Sequence, residues 1–577
     1  MSFWKGYQGR RAYEDLLEGN PDGETLKGKL LEIIEPHGFK WRVFIVAGSG
    51  FLADAYAIFS PNVISPALAY IYWNQDTLGT KGMIINVVTL LGSCIGMVFF
   101  GFLADYFGRK RLYGVELVIG IIATLGLTQV SAGYNQASMN AFAWIVWWRL
   151  VLGIAIGAEY PLSALIAAEW SATSTRGTML AAVFMMQPFG QFLAYIVGLA
   201  ALQGITKSRI PDPTAIVSQF DAVWRCIIGV GGFPALLAIV LRWTIPETPR
   251  YLIDITQKAD IRANETRIPP DQELDRRATQ IDMKFDKPGF WDDWHTDYKK
   301  GQGFRRMLAG TAICWFLMDV CFYGLGLDTP RTLAKIWGAS SSDVTPDDNI
   351  YDALHGDVTR ALLTIPLSSI PGSVVFLLLV NYIPRVTVLR WTFVALAILF
   401  VITGSSLTAV YETNNHTVTI VFYAFALFIL NAGPNTILFM LPSELFPTKY
   451  RGTCYGIAAA SGKAGAIIIQ LIVHFQNITR PDSGKMQLAI MLMCFTPLML
   501  IGAFVAWVWI PEVQHPRDPK HVDKQQKGKL KYRERMVMPS RSLEEITANP
   551  TEDHTFGLRY HLSELFGGGS KAEGSAV

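Results

Sequence analysis

The sequence predicts an all-α membrane protein, with twelve transmembrane helices in two pseudo-symmetric six-helix bundles. Three observations predict it. Of the 577 residues, 51% are hydrophobic and only 17% charged, with a mean hydropathy of +0.28, too apolar for an ordinary water-soluble enzyme. The apolar residues gather in runs of about 20, the length a helix needs to cross roughly 30 Å of hydrocarbon. Short motifs also recur at corresponding places in the two halves.

Residues 1–40 are charged and hold no apolar core, so they read as a cytosolic N-terminus without a cleavable signal peptide. Six apolar runs follow: Phe44–Ser65, Met83–Tyr106, Leu112–Val130, Ala143–Ala167, Met179–Ala201 and Trp224–Trp243. Each is bounded by charged, Gly or Pro residues, and together they make an N-terminal bundle over 41–245. The charged segment 246–306 reads as a central cytosolic loop. The runs Met307–Leu327, Leu362–Val380, Trp391–Val410, Val418–Leu441, Tyr455–His474 and Gln487–Trp509 make a C-terminal bundle over 307–510. The segment 511–577 begins basic around Lys524, Lys527, Lys529 and Lys531 and ends in small residues, the composition of a disordered cytosolic tail.

Orientation follows from the basic residues of the short loops. Arg109, Lys110, Arg111, Arg176, Arg385, Arg390, Lys449 and Arg451 fall in alternate loops, on the side of the charged central segment. That side is expected to be cytosolic, with both termini inside a multi-pass plasma-membrane protein. The opposite loops carry two glycosylation sequons, at Asn415 and Asn477. The six cysteines all sit in or beside apolar runs, so no disulfide framework is expected.

The repeats are specific in their spacing. Glu169, followed seven residues later by Arg176-Gly177-Thr178, recurs as Glu444 with Arg451-Gly452-Thr453. Phe51 to Asp54 in the first run is echoed by Phe316 to Asp319 in the seventh, so each half opens on a helix bearing one carboxylate. A degenerate echo sets Asn381 and Arg385 against Asp105 and Arg109. A charge at mid-span costs about 2.5–3.5 kcal/mol on insertion scales, so intramembrane charges mark function. Four stand out: Asp54, Glu159, Asp319 and Lys463. Lys463 lies among small residues, and Trp315, Asp319 and Tyr323 share one helix face, one turn apart. Neither zinc-ligand spacing nor a nucleophile elbow nor a P-loop is present, which argues against an enzyme and against a metal site.

The stretch Gly101 to Lys110, containing Asp105, Gly108 and Arg109, resembles the loop signature of the major facilitator superfamily. So do Arg149 with Gly153, Gly157 and Tyr160-Pro161, the Pro246 to Arg250 motif, and Asn431 to Asn435 leading to Glu444-Leu445-Phe446-Pro447. Together these look like the fungal phosphate:proton symporter branch, which includes glycerophosphodiester permeases. The resemblance implies the major facilitator fold and a substrate site at Tyr160, Gln187, Trp315, Asp319, Tyr323 and Lys463. These residues suit phosphate chemically, since Lys supplies charge while Gln, Tyr and Trp offer neutral donors. Asp105, Gly108, Arg109, Arg149, Glu169, Arg176, Glu444 and Arg451 are the expected gating and motif residues.

The function so implied is proton-coupled import of inorganic phosphate by alternating access, by a monomer in the lipid bilayer, with no cofactor beyond the coupling protons and no nucleic-acid partner. Importing a monoanion against an inside-negative potential costs about 2.3 kcal/mol per charge per 100 mV, and a second proton makes import electrically favourable. Asp54, Glu159 and Asp319 are the proton-coupling candidates, the alternative for Glu159 being a structural bond to Arg149 or a neighbouring helix. The family's usual second acid is replaced by Ala57, and Glu159 stands for the usual Asp. Both changes leave a permease for glycerophosphodiesters or another organic anion as the alternative, and a non-transporting nutrient sensor as a third reading.

Overall fold

The computed structural model describes residues 39–73, 78–133, 138–206, 213–242, 302–326, 350–409, 417–476 and 484–514, together with Thr248, Arg250, Tyr251, Trp294, Leu333 and Trp337. Both sequons, the N-terminal segment before 39, most of the central loop and the tail from 515 lie outside the described residues.

Among the described residues, twelve helices are long and apolar enough to cross a membrane. They are α1 (Trp41–Tyr72), α2 (Thr80–Phe107), α3 (Arg109–Thr128), α4 (Ala141–Trp170), α5 (Arg176–Ile205), α6 (Ile216–Arg242), α7 (Gly303–Gly326), α8 (Tyr351–Leu379), α9 (Arg385–Thr408), α10 (Thr417–Leu445), α11 (Arg451–Phe475) and α12 (Met486–Trp509). Each overlaps one expected run. Several helices outrun those runs, some of them at ends enclosed by protein. Arg176 and Arg451 open α5 and α11 as charged residues, yet both are buried. Likewise α7 begins within what reads as the central loop. Two spans are broken: α3 turns at Tyr113-Gly114 after one short helical turn, and α10 divides at Gly433 into Thr417–Ala432 and Pro434–Leu445. Pro434 suits a helical first turn, where the N–H it lacks has no intrahelical acceptor.

Within the first half α2 packs on α4, α1 on α5 and α6, and α3 on α4 and α6; in the second, α7 packs on α11 and α12, α8 on α10, and α9 on α10 and α12. The halves meet along two seams, α2 against α11 and α5 against α8. Adding six to each helix number turns one seam into the other, as a pseudo-twofold axis requires. The most enclosed spans are α1, α4 and α7, and the second piece of α10 is buried at every position. Large apolar side chains such as Leu125, Phe233, Trp391 and Phe504 project outward from α3, α6, α9 and α12, forming a lipid-facing rim.

After α12 the chain folds back over the start of α9. The Glu512 carboxylate accepts from the backbone N–H groups of Arg385 and Val386, both at 3.0 Å, capping that helix from a distance in sequence. Gln514 ties the same turn by accepting from Arg385 N at 3.1 Å and donating to Val380 O at 3.3 Å.

Candidate functional site

The centre of the molecule is a polar cluster enclosed between the two halves. Lys463 of α11 is 2% exposed. Its ammonium donates to Asp319 Oδ2 at 3.1 Å and to the Tyr323 hydroxyl at 2.7 Å, and lies over the rings of Tyr323 and Tyr160 at 4.4 and 5.1 Å. Asp319 and Tyr323 reach it together because they are one turn apart on α7. Gly462 allows the approach: a Cβ there would stand 2.5 Å from Trp315 Cδ1 and 2.9 Å from Asp319 Oδ2. From Tyr160 the cluster continues across the halves. Gln187 Nε2 donates to the Tyr160 hydroxyl at 3.3 Å, and Gln187 Oε1 accepts from Asn435 Nδ2 at 3.3 Å. Asn435 also donates to Asn431 Oδ1 at 3.3 Å. All six expected substrate residues therefore lie in one place, and Asn431 and Asn435 join them.

Two cavities flank the cluster, one bordered by Gln187, Phe322 and Asn431, the other by Tyr323 and Lys463. Each has room for little more than one water molecule. Between them α1 touches α7, where Asn62 Nδ2 donates to Gly326 O at 3.1 Å.

A second cluster lies within the first half. Asp54 is buried, and its Oδ2 has no hydrogen-bond partner among the described residues. Glu159 is not solitary: it accepts from Ser163 and is paired with Arg242 of α6. The same guanidinium pairs with Glu116 of α3 and stacks 3.8 Å over the Tyr113 ring. Glu116 also accepts from Gly114 N at 2.8 and 3.0 Å. The bond from Glu159 to Arg149 considered from the sequence is not formed, since Arg149 Nη1 reaches the Ala57 carbonyl at 3.4 Å. Glu116 and Arg242 were legible only as charges near the ends of apolar runs.

On the face bearing the Arg-rich loops, the motif residues join the halves. Arg176 Nε donates to Glu444 Oε1 at 2.9 Å, and Arg451 Nη1 to Glu169 Oε1 at 3.0 Å. Arg109 bridges Asp105 at 3.3 Å, Glu169 at 3.2 Å and the Thr448 carbonyl at 2.7 Å. Gly108 permits this corner, because its φ of 94° is one that L side chains rarely adopt. Asp105 of α2 accepts from Gly452 N, Thr453 N and Thr453 Oγ1 at 3.0, 2.7 and 2.9 Å, so one half caps the first helix turn of the other. The degenerate echo keeps this geometry in neutral form: Asn381 donates to Thr178 Oγ1 at 2.8 Å while Arg385 pairs with Glu444. The segment after α6 reinforces the latch, with Thr248 donating to Glu169 Oε2 at 2.6 Å and Arg250 to Ala168 O at 3.0 Å.

An aromatic layer separates latch from centre. Phe439 packs against Phe184, Phe51, Tyr455 and Tyr160 with ring centroids 5.0, 5.1, 6.1 and 6.4 Å apart. It sits on the second piece of α10 between Asn435, which bonds to Gln187, and Glu444, which bonds to Arg176. With Asn62 joined to Gly326 on the other side, a contact between the halves stands on each side of the cluster.

Residues 46–320 and 362–516 match the sugar (and other) transporter family. The chain is 34% identical over 514 residues to the inorganic phosphate transporter PHO84 of Saccharomyces cerevisiae, with 84% of this chain and 85% of that one covered. It is 34% identical over 480 residues to a repressible high-affinity phosphate permease of Neurospora crassa, with 79% and 82% covered. Among solved structures, the major facilitator superfamily proton:xylose symporter XylE bound to 6-bromo-6-deoxy-D-glucose aligns with a TM-score of 0.63 at 17% identity, covering 82% of this chain and 96% of that one. A partially occluded inward open form of XylE from E. coli aligns at 0.58 and 16%, covering 82% and 98%. At such identity the likeness is one of fold. The fold is that of the major facilitator transporters, and the chain is a multi-pass membrane protein that belongs to the sugar (and other) transporter family.

Proposed function

We propose that this chain is a proton-coupled secondary transporter that imports inorganic phosphate across the plasma membrane by alternating access, as a monomer, with both termini and the ion-pair latch on the cytosolic side. The observation that carries the reading is the Lys463 ammonium held between Asp319 and Tyr323 beside the Tyr160–Gln187 bond. A buried cation neutralised by one carboxylate is a site where an anion can exchange for a carboxylate. The names of the relatives in yeast and Neurospora support phosphate as that anion.

In this mechanism phosphate enters from outside and takes Lys463 as its counter-ion, while Asp319 accepts a proton as it loses the ammonium. Tyr160, Gln187, Trp315 and Tyr323 supply neutral donors to the remaining oxygens. A second proton is loaded by the buried pair of acids in the first half, Asp54 or Glu159, the latter on release from Arg242. With two protons per monoanion, the inward step carries net positive charge and draws on the membrane potential. Once substrate and protons are bound, the aromatic layer and the latch part, and the cluster opens to the cytosol.

The test is uptake of labelled phosphate in cells lacking their own phosphate uptake, run beside a labelled glycerophosphodiester at acidic and neutral external pH. Phosphate uptake that rises in acid, collapses with a protonophore and disappears in Lys463→Ala is expected. Uptake of the diester alone, or phosphate uptake indifferent to Lys463→Ala, overturns the reading.

A further inference from the structure

We propose that the stripe of α2 bearing Asn86, Thr89 and Ser93 is an outer subsite for a small tetrahedral oxyanion, which holds the anion before Lys463 receives it. The proposal rests on the reading of the chain as a phosphate carrier. The three residues stand at i, i+3 and i+7 and so share one helix face, in a strongly apolar span. With Pro61 of α1, Tyr323 of α7 and Lys463 of α11 they border one cavity, a water-sized space on the Lys463 side of the centre that admits an anion once the halves part on this side.

The donors there are incompletely used. An ammonium group has three N–H donors, and Lys463 gives two of them to Asp319 and Tyr323 while bordering the cavity. Ser93 is 3% exposed, and its hydroxyl has no hydrogen-bond partner among the described residues, an arrangement that costs stability unless a guest satisfies it. The cavity lining holds no carboxylate. The lining itself supplies one cation and neutral donors, the complement of an anion once Asp319 releases Lys463.

The stripe also runs the right way. From Asn86 to Ser93 is about 10 Å along the axis at 1.5 Å per residue, starting near the membrane face opposite the latch. Its inner end reaches the level of the centre, since Cys94 donates to Ala460 O at 3.6 Å, one turn of α11 before Lys463. Its outer end lies under the contact between Thr80 Oγ1 and His474 Nε2, 3.4 Å apart, at the mouth of the same α2–α11 seam. An anion shedding its water along this path meets Asn86 and Ser93 in turn and then the third N–H of Lys463, while the Thr89 hydroxyl, which donates to Ile85 O at 2.8 Å, joins them only by leaving that carbonyl. Each donor replaces part of the hydration shell before the full charge partner is reached.

The test uses the purified full chain in proteoliposomes, with initial rates of labelled phosphate uptake measured against concentration. The double variant Asn86→Leu/Ser93→Ala should raise the half-saturating phosphate concentration about tenfold, the loss of one hydrogen bond to a charged ligand, with the maximal rate changed far less. Ser93→Thr keeps the hydroxyl and should stay near the unaltered chain, which a purely packing role would not require of the larger side chain. A half-saturating concentration unmoved by the double variant, in protein that transports normally, overturns the subsite. Failure of the unaltered chain to take up phosphate overturns the carrier reading. Thermal shift of the detergent-purified chain by inorganic phosphate then decides the subsite separately: a shift lost in the double variant supports it, and one that persists or is absent throughout refutes it.

Discussion

Arg176 donates to Glu444 at 2.9 Å, and the residues that the internal repeat sets in their places, Arg451 and Glu169, meet at 3.0 Å. Each half of the chain supplies the acid for the other half's arginine. The latch is thus two clasps related by the pseudo-twofold axis, flanked by contacts of unequal charge, from Asp105 of α2 to α11 and from Asn381 after α8 to α5.

Neutralising one clasp should open the latch face. Glu444→Gln leaves Arg176 and Arg385 buried beside each other without their carboxylate, and removal of one partner from a buried pair costs about 3–5 kcal/mol. Cys454, which is fully buried behind the latch, should become reactive to alkylating reagents from that side, and transport should fall at least about tenfold. Continued protection of Cys454 in this variant argues that the pairs do not hold the face shut.

Gly462→Ala tests the close approach of α11 to α7. The added methyl would stand 2.5 Å from Trp315 and 2.9 Å from Asp319, so both must move or α11 must back away, at a cost of about 1–3 kcal/mol. The half-saturating phosphate concentration should rise about tenfold while the protein still folds. An unchanged value places the binding determinants elsewhere.

Asp54→Asn should separate driving force from binding. The variant removes a buried carboxylate with an unpartnered oxygen, so its thermal midpoint should match or exceed that of the original. Exchange of internal for external phosphate should persist, but uphill accumulation should drop about 40-fold per lost charge at ~100 mV. Full accumulation by this variant removes Asp54 from the proton path.

Glu512 lies outside the spans and gives a pH signature. Burial pushes its carboxyl above the ordinary glutamate value of 4.5, against the N–H groups and the Arg385 charge that favour ionisation. The folded chain therefore holds this proton more tightly than the unfolded one. The stability so contributed is fully present below pH 4.5 and is lost as pH rises through the elevated folded value. Glu512→Gln cannot titrate, so its thermal midpoint should gain on that of the original chain as pH rises from 4.5. Parallel pH profiles for the two proteins count against it.

The twelve spans were legible because hydrocarbon imposes one length and one composition on whatever crosses it. Their ends were not: Arg176 and Arg451 read as loop charges, yet they open helices inside a protein interface that composition cannot reveal. At the centre, Lys463 and Asp319 announced themselves by the cost of a mid-span charge, and their 3.1 Å contact follows from the repeat only once α7 and α11 are known to pack. Glu116 and Arg242 carry the same kind of charge close to the ends of their expected runs, where a charge is cheap and gives no reason for notice. The bond from Asn435 to Gln187 joins residues 248 apart in sequence, and no local pattern encodes it.

The rings packed about Phe439 have an electrical consequence. Voltage falls where neither water nor mobile ions can screen it, and these side chains, 0–3% exposed, are a dielectric wall between the central cluster and the latch. When the opposite side opens and water reaches the cluster, the membrane field is compressed into this layer, far thinner than the bilayer. A charge that crosses this wall when the halves rock past each other senses a large share of the transmembrane voltage in one short displacement, so the turnover step itself becomes a voltage-dependent event.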